Sequence, residues 1–367
     1  MHVQALEATD FRNLAQVLVE PHPRFNVIAG PNGQGKTNLI EAVYLLGTLR
    51  SFRAGRTDEL LRFGCATARV RARVERLGLH RLLEVELRAG QKLARVDGKS
   101  ARAAQYFGGF NVVLFAPDDL RLPRGSPQSR RRFLDRAVFN ASPQYLEEAQ
   151  KYERVLKSRN AVLRAPGARP ELLAVYDQQL CEAAVPLFQR RRALVEALAP
   201  RVRETYRVVT AGLDLTMHYV SRLGAGSDED LKVELAQKLA DDARKDLARG
   251  ATSSGPHTDD LGFVLEGRDA GTFGSQGQLR ALVLSLKIAE IEYLAATLGD
   301  APVLLLDDVS SELDAARNLQ LFEHLGERLE TLGCQAFITT THPDFVHLRQ
   351  DPALRRDFNV LDGRLSQ

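Results

Sequence analysis

A chain of 367 residues, 44% of them hydrophobic, can bury a large core and divide into two lobes. Its formal net charge of only +3 excludes a uniformly basic coat, so any nucleic-acid surface must be a local patch. The three cysteines, Cys65, Cys181 and Cys334, show neither C-x-x-C nor zinc spacing, no basic segment leads into an apolar core at the N-terminus, and no apolar run approaches the roughly 20 residues that span a bilayer. The expectation is a soluble cytoplasmic protein without membrane contact. Of the 50 basic residues, nine are Lys and 41 are Arg, which suits bidentate phosphate contacts and equally fits a general compositional bias.

In chain order, residues 3 to 19 read as two strands around a turn at Asp10 to Leu14. Phe25, Val27, Ile28 and Ala29 form a short apolar strand. Gly30 to Thr37 follows, reading Gly-Pro-Asn-Gly-Gln-Gly-Lys-Thr, which fits the phosphate-binding pattern G-x-x-x-x-G-K-[ST] in its proper context of strand, loop and helix. Gly30, Gly33 and Gly35 let the backbone turn N–H groups toward a polyphosphate at a helix N-terminus, with Asn32 and Asn38 in and beside the loop. Lys36 then reaches the β- and γ-phosphates of ATP, and the Thr37 hydroxyl ligates Mg²⁺. Leu39, Val43 and Leu46 mark one face of the next helix. Glu84 to Leu87 alternates as a strand, and Val96-Asp97-Gly98-Lys99 carries a hairpin signal.

From about Ala116 the pattern turns helical. Ser142-Pro143 predicts a helix start, and a second helix from near Pro170 is expected to kink or split at Pro186 and Pro200. Leu213, Leu215, Met217 and Tyr219 alternate as a strand, whereas Leu231, Leu235 and Leu239 fall on a helix face. No sustained heptad array is present, so a long coiled-coil arm is not expected. The run Val303 to Leu306 reads as a buried parallel strand ending in Asp307 and Asp308, and Ala336 to Ile338 as another, ending at Thr340, Thr341 and His342. The fold class is therefore α/β, with a mixed sheet and flanking helices in a head built from both chain ends, 1–115 and 252–367. A mainly helical lobe, 116–251, is inserted between them.

Carboxylates at the carboxyl end of a strand supply the other half of a nucleotide site: Asp307 to hold Mg²⁺ and Asp308 to polarise the attacking water, unless the pair only caps a helix. Gly274-Ser275-Gln276-Gly277-Gln278 precedes a further helix; such a turn is either a second anion site or an ordinary cap. The densest basic cluster is Arg130, Arg131 and Arg132, with Arg121, Arg124 and Arg136 nearby. It either contacts phosphates, of DNA or of ATP, or pairs internally with Asp118, Asp119 and Asp135.

The turn at Ser275 to Gln278, with Ser310 to Asp314 and His342, resembles the ABC-type ATPases, including the SMC proteins. That likeness implies a homodimer with two ATP molecules between two heads, each contacted by the partner copy's signature turn, and a γ-phosphate-sensing role for His342. Phe11 to Leu14, Asn111 to Leu120, Gly125 to Pro127, Arg130 to Asp135, Gly255-Pro256-His257, Phe273 to Gln278 and Leu305 to Asp314 look more specifically like the RecF family. The resemblance implies a DNA-binding ATPase of recombinational repair that dimerises on ATP. It also implies action with RecO and RecR in helping to load RecA at single-strand gaps where duplex meets single strand, and a place for Arg12 and Asn13 near the nucleotide. Thr258 stands where these proteins often carry Arg, and Phe115 to Asp119 stands in place of the Q-loop that a transporter ATPase should show. A transporter subunit, a P-loop small-molecule kinase and a clamp that never cleaves ATP are the competing readings.

Overall fold

The computed structural model describes residues 1–167, 170–308, 325–341 and 353–366. They form two compact units, the first comprising Met1–Arg121, Thr205–Gly212 and the residues from Ser275 onward, the second Leu122–Glu204 and Leu213–Gly274. The 252–274 stretch belongs to the second unit, not the head, because its strand at 260–265 pairs with the strand at 215–220.

The first unit begins with β1 (His2–Phe11), β2 (Leu14–Val19), β3 (Phe25–Ala29), α1 (Lys36–Thr48), β4 (Thr67–Arg76), β5 (Leu79–Arg88), β6 (Gln91–Val96), β7 (Lys99–Ser100), α2 (Ala103–Tyr106) and β8 (Val112–Phe115). The second contains α3 (Pro127–Ala141), α4 (Tyr145–Arg164), most of α5 (Pro170–Val209), β9 (Leu215–Val220), α6 (Asp228–Asp241), α7 (Ala243–Arg249), β10 (Asp260–Leu265), β11 (Arg268–Asp269) and α8 (Ala270–Phe273). The chain returns to the first unit through α9 (Gln276–Leu298), β12 (Val303–Leu306), β13 (Ala336–Thr340), β14 (Arg355–Leu361) and β15 (Arg364–Ser366).

Two sheets build the first unit. One is an antiparallel meander in the order β2-β1-β4-β5-β6-β7. Along β4, Ala68, Val70, Ala72 and Val74 are buried while Thr67, Arg69 and Arg73 are exposed, the period-two pattern of a sheet with one wet face. The other runs β15-β14-β3-β13-β12-β8 and is parallel from β14 to β8. β3, β12 and β13 are buried along their whole length, as strands covered on both faces must be. Gln335, fully buried, ties the sheets together by accepting from the Val3 N–H (2.7 Å) and donating to Val3 O (3.0 Å) and His22 O (2.9 Å). Every one of its bonds goes to a backbone group, and His22 O also accepts from Asn26 (2.8 Å).

The second unit is held by buried ion pairs as well as apolar packing. Arg159, 1% exposed, donates to Asp177 (2.5 Å), Asp246 (2.8 Å) and Thr252 (2.8 Å). Arg191 donates to Asp135 (2.8 Å) and Pro256 O (2.6 Å). Beside its helices it carries a three-stranded antiparallel sheet, β11-β10-β9, in which β9 and β10 both alternate. Pro186 and Pro200 do not split α5, which is helical over all 40 of its residues. Each proline removes one backbone bond, and the buried neighbours Val185, Leu187, Phe188, Leu198 and Val202 hold the segment helical. Regular helix in α4 starts at Tyr145, two residues after Pro143, with the preceding turn closed by the Tyr145 N–H on Ser142 O (3.0 Å).

Candidate nucleotide site

The strand order brings the ends of β3, β13 and β12 side by side, and each end supplies part of one corner. The glycine-rich loop leaves β3 with φ of 151° at Gly30 and 116° at Gly35. A Cβ on Gly30 would lie 2.4 Å from Val360 O, and one on Gly35 would lie 2.7 Å from Asn13 Oδ1, so both positions demand glycine on conformation and on space. Asn32 and Gly33 lie exposed on the rim of the loop.

The N-terminus of α1 is open. No side chain caps it, and no acidic residue stands in its first turn, so its leading N–H groups and the positive end of its dipole face the loop unopposed. That is the backbone arrangement a polyphosphate requires. Lys36 Nζ donates to Gly30 O (2.6 Å) and Pro31 O (2.9 Å), which fixes the ammonium beneath the loop and leaves its third donor for a phosphate oxygen. Burial lowers its pKa, opposed by the charges of Asp308 and Asp307.

Asp307 follows β12 and is 5% exposed. Its Oδ1 accepts from Thr37 Oγ1 (2.9 Å) and from Thr339 Oγ1 (2.8 Å). Burial raises its pKa above the usual carboxylate range, against the pull of those two hydroxyls and of the Arg53 charge. A hydroxyl and a desolvated carboxylate 2.9 Å apart are hard oxygen donors of the kind Mg²⁺ takes, and the carboxylate gains from a cation. Among the described residues no group of three or more His, Cys, Asp or Glu could hold a metal alone, so phosphate and water would complete such a shell. Asp308 has φ 49°, and its N–H donates to Thr339 Oγ1 (2.9 Å), so one threonine on β13 positions both acids.

Arg12 makes a bidentate pair with the buried Glu41 (2.8 and 2.9 Å) and donates to Glu59 O (2.8 Å), so its guanidinium braces α1. Asn13 donates to Gln34 O (3.0 Å) and accepts from Asn38 (2.7 Å), gripping the loop from outside. Asn38 in turn accepts from Arg53 (3.1 Å). Thr339 and Arg53 carried no signal in the sequence. One threonine of the run Thr339 to Thr341 and an arginine in a loop gain meaning only when β13 is set beside β12 and the 50–57 loop beside α1.

At the start of α9, Ser275 and Gln278 form a capping box: Ser275 Oγ accepts from the Gln278 N–H (3.2 Å) and Gln278 Oε1 from the Ser275 N–H (2.8 Å). Ser275 and Gln276 are exposed, Gly277 half-buried. His342 and Ser310 to Asp314 lie outside the described residues. In the basic cluster, Arg130 pairs bidentately with Asp260 (2.7 and 2.6 Å) and Arg131 donates to Asp259 O (2.7 Å), whereas Arg132 is exposed.

Open loop, buried acids and capped α9 together define an ATPase head of the ABC and SMC type. The expected fold class is borne out by that architecture. Residues 2–353 match the family described as the RecF/RecN/SMC N-terminal domain. The DNA replication and repair protein RecF of Myxococcus xanthus is 45% identical over 354 residues, covering 94% of this chain and 92% of that protein. RecF of Anaeromyxobacter sp. (strain Fw109-5) is 47% identical over 347 residues, covering 93% and 92%. The chain belongs to the RecF family. A solved recombination mediator RecF with ATP superposes with a TM-score of 0.87 at 29% identity, covering 100% of this chain and 97% of that one. An Smc head bound to the C-terminal winged-helix domain of ScpA is 16% identical with a TM-score of 0.59 and shares the fold alone. Among the described residues no helix is long and apolar enough to cross a membrane. Family membership displaces the transporter and kinase readings.

Proposed function

We propose that this chain is an ATP-dependent DNA-binding clamp of recombinational repair. The observation that carries the proposal is the meeting of Thr37 and Asp307 at 2.9 Å below an uncapped helix N-terminus, a ready pocket for a nucleotide with its Mg²⁺. In this reading the loop N–H groups and Lys36 hold the β- and γ-phosphates, and Thr37 and Asp307 hold Mg²⁺, which supplies charge neutralisation when bound. Asp308 orients water, and His342 senses the γ-phosphate. Asn13 and Arg12 act one step back, keeping the loop and α1 in place. Because Asp308 is one methylene shorter than the Glu usual in ABC ATPases, hydrolysis is slow and serves to reset the protein.

The exposed Ser275 and Gln276 turn then meets the nucleotide of a second copy, making ATP the adhesive of a homodimer. The dimer binds DNA where duplex meets single strand and, with RecR and RecO, helps load RecA; this rests on the family and on the pathway named for the solved RecF–ATP relative. Retention of a gapped duplex by the purified chain tests the proposal. ATP should raise retention, and Lys36→Met should remove the increment. Equal retention with and without ATP would refute the switch.

A further inference from the structure

The hairpin between β4 and β5 turns on two residues, Leu77 and Gly78, with φ of 48° and 76°. Two positive φ values are the mark of a type I′ turn, which Asn-Gly satisfies without strain. Leucine in the left-handed region costs on the order of 1–2 kcal/mol. Core packing does not offset that cost, because Leu77 is 64% exposed, and Leu79 beside it is 66% exposed. The two leucines border a cavity of about 370 Å³ whose walls also include Val74, Arg76, Arg81 and Phe107. Arg76 Nε is buried there with no acceptor among the described residues. A desolvated guanidinium N–H without an acceptor is costly, and a carboxylate is among the strongest acceptors for it. Asp300, which accepts from the Leu77 N–H (3.2 Å), is already paired with the Met1 amino group.

We propose that this pocket is a docking site for an acidic segment of a partner protein. The segment carries a carboxylate to Arg76 and Arg81 and a leucine or phenylalanine side chain to the surface made by Leu77, Leu79 and Phe107. The charge pattern selects this occupant: the two cations Arg76 and Arg81 flank an apolar wall, and a carboxylate complements their charge where a neutral apolar peptide does not. The cavity volume fits one or two side chains, the scale of a short linear segment.

The test uses the full chain and a fluorescein-labelled ten-residue peptide with two Asp residues followed by Leu-Phe, read by anisotropy. Saturable binding is expected, weakened at least about fivefold by Arg76→Gln, by Leu77→Asn, and by Asn in place of both peptide Asp residues. Leu77→Asn suits the turn, so its melting temperature should equal or exceed the parent's, and neither variant should alter ATP binding. The proposal is overturned by absence of saturable binding up to millimolar peptide, or by a loss smaller than fivefold in any of the three cases. A ten-nucleotide oligothymidylate that binds with dependence on Arg76 and displaces the peptide would also overturn it, assigning the pocket to nucleic acid.

Discussion

Two helices of the first unit begin at glycine-bearing turns, and they begin in opposite ways. α1 starts after Gly35 without a side-chain cap, whereas α9 starts at Ser275 inside a closed capping box. From sequence the turn before α1 reads as a phosphate loop and the turn before α9 as either an anion site or a cap; the capping box of α9 takes up the Ser275 and Gln278 N–H groups, whereas no side chain caps α1. Anion affinity is greatest at N–H groups that the chain has not already satisfied, which supports the proposal that the nucleotide sits at α1. In the proposed dimer, the exposed Ser275 and Gln276 turn at the start of α9 would complete the site of another copy.

The comparison can be broken from the open side first. Lys36→Met should abolish ATP-dependent DNA retention and weaken ATP roughly 10- to 150-fold, since a charge-assisted bond to phosphate contributes roughly 1.5–3 kcal/mol. Equilibrium binding of a fluorescent ATP analogue measures it. The fold should survive, because Lys36 bonds only to carbonyls of its own loop.

Asp307→Asn comes next and has two opposite signs. Burial raises the native pKa above the unfolded value, so the stability contribution of Asp307 is complete below the unfolded pKa and is lost as pH rises through the native one. Once ionised, the buried carboxylate is a desolvated charge. Asn keeps an oxygen for Thr37 and Thr339, and should raise the melting temperature of the nucleotide-free protein by roughly 2–4 °C if about 1 kcal/mol of desolvation is relieved. The gain should shrink as pH falls through the native pKa, and stabilisation by ATP with Mg²⁺ should be lost. Calorimetry across pH checks both signs.

Ser275→Ala sharpens the closed side. Loss of the cap costs about 1 kcal/mol. If the turn also meets nucleotide on a second copy, ATP-dependent dimerisation falls by more than that loss, while ATP affinity of the monomer stays unchanged; sedimentation at graded protein concentration separates the two. The smallest effect is expected at Arg132→Ala, which should lower the salt slope of DNA binding by roughly 0.9 if it contacts a phosphate. Arg130 and Arg131 are already bonded inside the second unit, so their truncation should act first on melting temperature.

The legible parts of the site were those contiguous in sequence. β3, the loop and α1 form one uninterrupted pattern, and β12 ends visibly in two acids. Glu41 with Arg12 and Thr339 with Asp307 were not legible, since each pair joins segments that only the strand order and the α1 packing bring together. α1 was read as one-sided, yet Leu39, Ile40, Ala42, Val43, Leu45 and Leu46 are all buried, because it is covered on more than one face. The sheet of the second unit was read only at β9: β10 alternates at Leu261, Phe263 and Leu265, but its pairing with β9 joins segments 40 or more residues apart, and β11 has only two residues. The prolines of α5 misled for a related reason: their local cost is real, and packing overrides it.

The central claim is that ATP joins two heads through α1 of one copy and α9 of the other. Its most direct test is the solution mass by light scattering, with ATP, without it, and with Lys36→Met. The account predicts a species at the 40.7 kDa chain mass without nucleotide, twice that mass with ATP, and no change in the variant. A mass that stays at one chain in saturating ATP would contradict it.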